Sequence, residues 1–207
     1  MRFRPSIVVV AAGRGSRFSA SAPDAPPKLE QPFGTSTVLG TTIRNAVQSQ
    51  LPVVVVTVAA LVPAASAHLA RRDIIVVGDE EAARGMGHSI ATGVAERSGA
   101  PGWLILPADM PLVQPGTLLA VASALEHHAV AYAQHKGRRG HPVGFSSELY
   151  SELVLLKGDE GARRIVARYP AVAVEVADAG TLIDIDTPAD LEAARSLASR
   201  LPATFSL

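Results

Sequence analysis

VVVAAGRGSRF, residues 8–18, is an apolar run that breaks into a turn carrying two glycines and two arginines. The run is β-branched and then small, which suits a strand buried on both faces. Glycine lets backbone approach a ligand closely and aim its N–H groups at it, and arginine adds charge. A strand that empties into such a turn has the makings of a polyphosphate cradle, although a plain strand–loop turn uses the same residues. Two named phosphate loops do not fit. The dinucleotide fingerprint needs a third glycine where Phe18 stands and an acidic residue at the end of the second strand, where the chain reads VVVVTVA. The Walker A loop needs Gly-Lys-Ser/Thr, which is missing.

Working outward, similar runs recur at SIVVVAA (6–12), VVVVTV (53–58), DIIVVG (73–78), WLILPA (103–108) and AVAYA (129–133). Each is short, aliphatic or β-branched and bounded by turn residues, which predicts strands. Helical patterns lie between them, around Thr37–Gln48, Pro63–Ala70, Ser89–Arg97 and Pro115–His127. Alternation with short connections implies right-handed crossovers. The expected architecture is α/β, three layers α/β/α with a mainly parallel central sheet. Ligands of such sheets bind beyond the carboxyl ends of the strands, where the polar loops 13–18, 78–89 and 107–111 fall. The last third predicts a short strand turning into a helix (141–147), a helix (159–169), strands at 171–177 and 181–186, and a closing helix over 187–201. Thr187 as N-cap, Pro188 at the first helical position and Asp190 in the first turn mark the start of that helix. No linker, repeat or low-complexity run divides residues 1–207, so one domain is expected.

Hydrophobic residues are 48% of the 207 and aromatics 4%, so the core must be built from Val, Leu, Ile and Ala. A formal charge of zero argues against a broad basic face for nucleic acid. The lack of cysteine excludes disulfides and thiolate metal sites and is compatible with a reducing, cytoplasmic location. The start MRFRPSIVVVAAG is basic then apolar, as in a signal peptide. Its apolar run is short and ends in GRGSR rather than a cleavage site, so it is read as a buried strand, and no membrane segment is expected.

Several polar residues fall where that architecture puts a ligand. Asp109 follows a buried strand in LILPADMPLV (104–113); it can hold Mg²⁺ through one carboxylate, or it can cap a turn. Gly85, Gly87 and Ser89 follow the third strand and can face a base or ribose, and His88 beside them can be a contact or an ordinary loop histidine. Arg138, Arg139, His141, Lys157 and Arg163 sit in two basic loops of a chain without net charge, which suggests a local anion site. Asp159 can simply cap the helix after it. Asp184 and Asp186 alternate at a predicted strand end, where Asp186 either faces the cleft or merely precedes the capped helix. No Ser/His/Asp or Cys/His arrangement is evident, which argues against a covalent hydrolase.

The stretch AAGRGSRF…PPKLEQPFGTSTVLGTTI resembles the signature of the sugar-phosphate and cofactor nucleotidyltransferases, an A-A-G-x-G-x-R loop followed by a Pro-Lys pair. ARGMGHSI (83–90), GRRGHPVGF (137–145), LKGDEGARRIV (156–166) and LIDIDTPADL (182–191) narrow the resemblance to MobA-like proteins, and within them to MocA-type molybdenum cofactor cytidylyltransferases. The resemblance implies a Rossmann-like nucleotidyltransferase fold and Mg²⁺-dependent transfer of CMP from CTP, or of GMP from GTP, to a molybdopterin-type phosphate acceptor. A molybdoenzyme would then receive the product. It implies that Arg17, Lys28 and Asp109 carry catalysis. Ala12, Gly13, Arg14, Gly15, Lys28, Gly85, Gly87 and Ser89 would bind nucleotide, and Asp109 and Asp186 the metal. His141, Asp159 and Arg163 would belong to acceptor-side elements at roughly 136–186. The chain departs from the pattern at Gly87 and His88, where such relatives often carry serine. A long Arg17–Lys28 loop is shared instead with the sugar enzymes. A sugar-phosphate nucleotidyltransferase and a non-catalytic cofactor-delivery module are the rival readings.

Overall fold

β1 (Ser6–Ala11) sends Ile7, Val9 and Ala11 to one face and Val8 to the other, none more than 1% exposed. A strand buried on both faces belongs inside a parallel sheet covered by helices. The computed structural model, which describes residues 3–13 and 15–200, has that arrangement. After β1 come α1 (Ser16–Ser21), a two-stranded hairpin of β2 (Pro32–Phe33) and β3 (Ser36–Thr37), α2 (Val38–Gln48) and β4 (Val53–Thr57). Then follow α3 (Val62–Ser66), β5 (Ile74–Val76), α4 (Asp79–Ala82), α5 (Met86–Glu96), β6 (Gly102–Pro107) and α6 (Pro115–Ala124). The second half adds β7 (Val130–His135), β8 (Arg138–Ser146), α7 (Tyr150–Leu153), α8 (Arg163–Arg168), β9 (Ala171–Glu175) and α9 (Pro188–Ala198).

The seven-stranded sheet has the order β5-β4-β1-β6-β8-β7-β9. Among its strands β8 runs against its neighbours β6 and β7, and every other pairing is parallel. The sheet is therefore mainly parallel, as expected. One apolar layer joins Val9, Val55 and Leu106 to α2, α6 and α9 through Ile43, Val121 and Leu191. The opposite layer joins Val8, Val56 and Trp103 to α5, α7 and α8 through Ile90, Leu153 and Ile165. These are the three layers of an α/β/α fold with Rossmann-like winding. No described helix is long and apolar enough to cross a membrane.

The differences from expectation have local causes. Residues 181–186 do not form a strand. They leave a 3-10 turn (Ala179–Leu182) and cross the end of the sheet, where one backbone bond, Ile185 N–H to the Asp109 carbonyl at 3.0 Å, is their link to the strand-end loops. The alternation survives without a ladder: Ile185 is fully buried, while Asp184 and Asp186 line the cleft. The strand expected at 141–147 begins earlier, at Arg138, because Lys136 and Gly137 both adopt positive φ (50° and 74°) and close a β7–β8 hairpin. The helix expected over 159–169 starts at Arg163, after a turn in which Gly158 and Gly161 have positive φ.

Candidate active site

In β-sheets of this winding the chain leaves β1 toward β4 and β5 on one side, then returns to β6 on the other. The crevice between the carboxyl ends of β1 and β6 is where such folds hold ligands. Here a cleft of about 1170 Å³ opens at that point, bounded by Ala12 and Gly13 beyond β1, by Pro107 at the end of β6 and by Ala108 and Asp109 beyond it. The three polar loops singled out in the sequence all contribute to its wall.

Gly15 takes φ +59° as the N-cap of α1, a left-handed conformation that favours glycine, and so turns the chain for Arg17 to face the cleft. The loop after α1 returns at a 3-10 turn (Lys28–Glu30), from which Lys28 reaches across the floor. Its ammonium lies 2.6 Å from Asp109 Oδ2 and 3.3 Å from Asp186 Oδ1, and Arg17 donates to the other oxygen of Asp186. Four side chains from three distant segments thus form one charged network. Burial on its own would lower the Lys28 pKa, but Asp109 and then Asp186 outweigh it and hold the ammonium above its ordinary value. Burial raises the Asp109 carboxyl, and Lys28 draws it only partly back. Asp109 Oδ1 is buried and has no hydrogen-bond partner.

The Asp109 loop is fixed from beneath by residues that the sequence reading did not single out. Thr42 Oγ donates to the Ala108 carbonyl at 2.9 Å, and Asn45 Nδ2 donates to those of Pro111 and Val113 at 2.9 and 3.2 Å. Both side chains project from α2 into the core and are at most 3% exposed. A buried polar residue that satisfies loop carbonyls holds backbone that no strand ladder reaches.

On the far wall, Gly85 (φ +91°) is the N-cap of α5, and Ser89 is buried one turn on. Gly158 N–H donates to the Arg84 carbonyl at 3.0 Å and Gly87 N–H donates to the Gly158 carbonyl at 2.8 Å, which binds the start of α5 to the loop carrying Asp159. Asp159, Arg163, Arg138, Arg139 and His141 line the cleft beside Gly85 and Ser89. Burial first, then the positive charges of Arg139 and Arg163 against the opposing Asp184, lower the His141 pKa to about 4, so its imidazole is neutral at physiological pH. Arg139 also lies over the Tyr132 ring, 4.7 Å from its centroid.

Most of the residues named from the sequence therefore meet in one cleft: Ala12, Gly13, Gly15, Arg17, Lys28, Gly85, Ser89, Asp109, His141, Asp159, Arg163 and Asp186. Gly87 is not on its wall. A Cβ there would stand 2.8–2.9 Å from the Lys157 backbone, so the position is glycine for packing. His88 points toward Glu81, 3.9 Å away, and is not among the lining residues either. Arg14 lies outside the described residues.

Among the described residues no cluster of three or more His, Asp or Glu is spaced to hold a metal. The cleft offers a cation two carboxylates, Asp109 and Asp186, both within reach of Lys28, with one buried Asp109 oxygen unpaired. That donor set fits Mg²⁺ or Mn²⁺, which take one or two carboxylates and complete their octahedron with substrate phosphates and water.

Comparison with known proteins places these features in context. A family model described as a MobA-like NTP transferase domain matches residues 7–174. Purine catabolism protein PucB of Bacillus subtilis is 40% identical over 121 residues, 56% of this chain and 58% of PucB. Bifunctional protein GlmU of Dinoroseobacter shibae is 36% identical over 123 residues, 58% of this chain and 26% of GlmU. The chain thus spans little more than half of one curated relative and about a quarter of the other. The crystal structure of Rv0371c from Mycobacterium tuberculosis superposes with a TM-score of 0.77 at 28% identity, covering 93% of this chain and 98% of that one. A second structure of Rv0371c, in complex with manganese, gives 0.74 at 27% identity, covering 96% and 100%.

Proposed function

The chain belongs to the MobA-like NTP transferase domain family, and from that premise we propose that it transfers CMP from CTP to a molybdopterin-type phosphate acceptor and releases pyrophosphate. The observation that carries the reading is the convergence of the glycine turn after β1, the cations Arg17 and Lys28, and the carboxylates Asp109 and Asp186 on one cleft. An acceptor phosphate oxygen forms a bond to the α-phosphorus of the triphosphate as the α–β bridging P–O bond breaks, and the electron pair leaves on pyrophosphate. A phosphate acceptor is already ionised near neutral pH, so no general base is required. The barrier is electrostatic, one anion meeting another, and positioning and charge stabilisation lower it.

Each part of the cleft has a task in that reaction. Backbone N–H groups at Gly13 and Gly15 cradle the triphosphate, and Arg17 and Lys28 neutralise it. Asp109 and Asp186 hold Mg²⁺, which when bound supplies further charge neutralisation at the phosphates. The Rv0371c complex with manganese supports divalent-metal use in this fold. Gly85 and Ser89 face base and ribose. His141, Asp159 and Arg163 serve the acceptor, where a neutral imidazole orients through a hydrogen bond rather than a charge.

The test is pyrophosphate release with CTP, GTP, ATP and UTP in turn, with molybdopterin or a sugar 1-phosphate as acceptor. The expected result is turnover with CTP and molybdopterin. A GTP preference replaces cytidylyl by guanylyl transfer, and turnover with the sugar phosphate alone replaces the acceptor. Nucleotide binding without pyrophosphate from any pair leaves a non-catalytic delivery module.

A further inference from the structure

Asp178 is a buried carboxylate, 4% exposed, outside the cleft wall. Its Oδ2 accepts from Gln114 N–H at 2.8 Å and from Thr117 Oγ at 2.7 Å, and its Oδ1 accepts from Gly180 N–H at 2.9 Å. Gln114 is the N-cap of α6 but makes no side-chain cap of its own. Asp178 instead holds the N-cap residue itself, through its N–H 64 residues away, together with the Thr117 hydroxyl of the first turn, at the positive end of the helix dipole. One carboxylate therefore joins the end of the Asp109 loop to the start of the segment that leads to Asp186. Between them Gly180 lies so close to the Leu112 carbonyl that a Cβ would collide with it. Eight residues after Asp178 the segment delivers Asp186, and Ile185 N–H makes the second tie, to the Asp109 carbonyl itself at 3.0 Å.

The segment 178–186 is thus tied to the Asp109 loop at both ends. Burying a carboxylate costs free energy unless several donors meet it, and neutral donors alone meet this one among the described residues. We infer that Asp178 is a positioning residue: it holds the Asp186 segment against the Asp109 loop and so sets the affinity of the two carboxylates for a divalent cation. The inference rests on the proposed function of the cleft, and it concerns a residue that touches neither substrate nor metal.

The test compares wild type with Asp178→Asn, which keeps the shape but turns an NH₂ toward one of the three donors. Mn²⁺ binding is followed by EPR with CTP and, separately, with GTP. Exchange of the Ile185 amide is followed by NMR against amides of β1. Loss of a partner behind a metal ligand weakens binding by about tenfold or more. That loss, with a faster Ile185 amide, unchanged β1 amides and a fall in kcat larger than any rise in nucleotide KM, is the expected result. Unchanged Mn²⁺ affinity in folded Asp178→Asn overturns the inference and leaves the proposed function standing. If Asp178→Asn does not fold, Thr117→Val, which removes one of the three bonds, decides in the same way, with a smaller loss expected. Wild-type protein that takes up no Mn²⁺ with either nucleotide overturns the proposed function and the metal half of the inference with it.

Discussion

Lys28 answers to two carboxylates, Asp109 to one ammonium, so the two residues are not equivalent under substitution. Lys28→Met leaves the Asp109 carboxylate partly buried with both oxygens unpaired, while Asp186 keeps Arg17. Asp109→Asn leaves Lys28 paired with Asp186. Leaving a buried donor or acceptor unpartnered costs about 1–3 kcal/mol, and the part-exposed Asp109 carboxylate falls toward the upper end because it is charged. Lys28→Met is therefore expected to lower stability by that amount in urea unfolding, and Asp109→Asn by clearly less. Both should lower kcat by about a hundredfold or more, as removal of a charge-stabilising group does. Equal stability losses would mean that Asp186 does not share the ammonium. At this scale Lys28 and Asp109 were legible because residue type and strand-end position coincide. Thr42, Asn45 and Asp178 were not. Each has a backbone partner more than 60 residues away, and a polar residue inside a helical or loop pattern carries no sign of which distant backbone group it satisfies.

Strands buried on both faces were legible as short continuous apolar runs, as in β1, β4 and β6, and α2 as an amphipathic helical pattern between two of them. Residues 181–186 show the limit. TLIDID has the alternation of a strand, but alternation reports which side chains are buried, not whether a neighbouring strand exists to pair with. Glycines on the two walls of the cleft separate packing from ligand approach. At Gly85 the φ of +91° is unfavourable for other residues, and a Cβ would stand 2.5 Å from the Gly158 carbonyl carbon and from Asp159 Oδ1. Gly85→Ala should cost about 1–3 kcal/mol and push the Asp159 loop from α5, raising KM for nucleotide and acceptor together. At Gly13 nothing lies within 4 Å of a built Cβ, so Gly13→Ala should unfold at the wild-type urea midpoint. If the β1 turn holds the triphosphate, its nucleotide KM still rises, because the methyl group stands where the phosphates approach. Steady-state kinetics beside urea unfolding checks both. A Gly13→Ala enzyme with wild-type nucleotide KM would remove that turn from the binding site.

For the whole molecule, the cleft's charges make stability depend on pH in ways that oppose one another. His141 has its pKa lowered to about 4 from 6.5, so between those values the unfolded chain binds more protons than the folded one. Its contribution is fully present above pH 6.5 and is lost as pH falls toward 4, amounting to about 3 kcal/mol at 1.36 kcal/mol per unit. Asp109 works in the other sense. Its folded pKa is raised above 3.8, so the folded state binds protons more tightly, and acidification through that window favours the fold. Lys28, raised above 10.5, is silent in acid; its contribution persists below 10.5 and disappears only as alkali carries pH through its folded value. The acid limb is thus a difference between the buried histidine and the buried carboxylate of the same cleft. Urea unfolding of wild type from pH 7 to 4 should show a loss that His141→Gln reduces by up to about 3 kcal/mol and that Asp109→Asn makes steeper. An acid limb unchanged by His141→Gln would mean that the imidazole is solvated and charged at mildly acidic pH. It could then not serve the acceptor site as a neutral hydrogen-bonding group between Arg139 and Arg163.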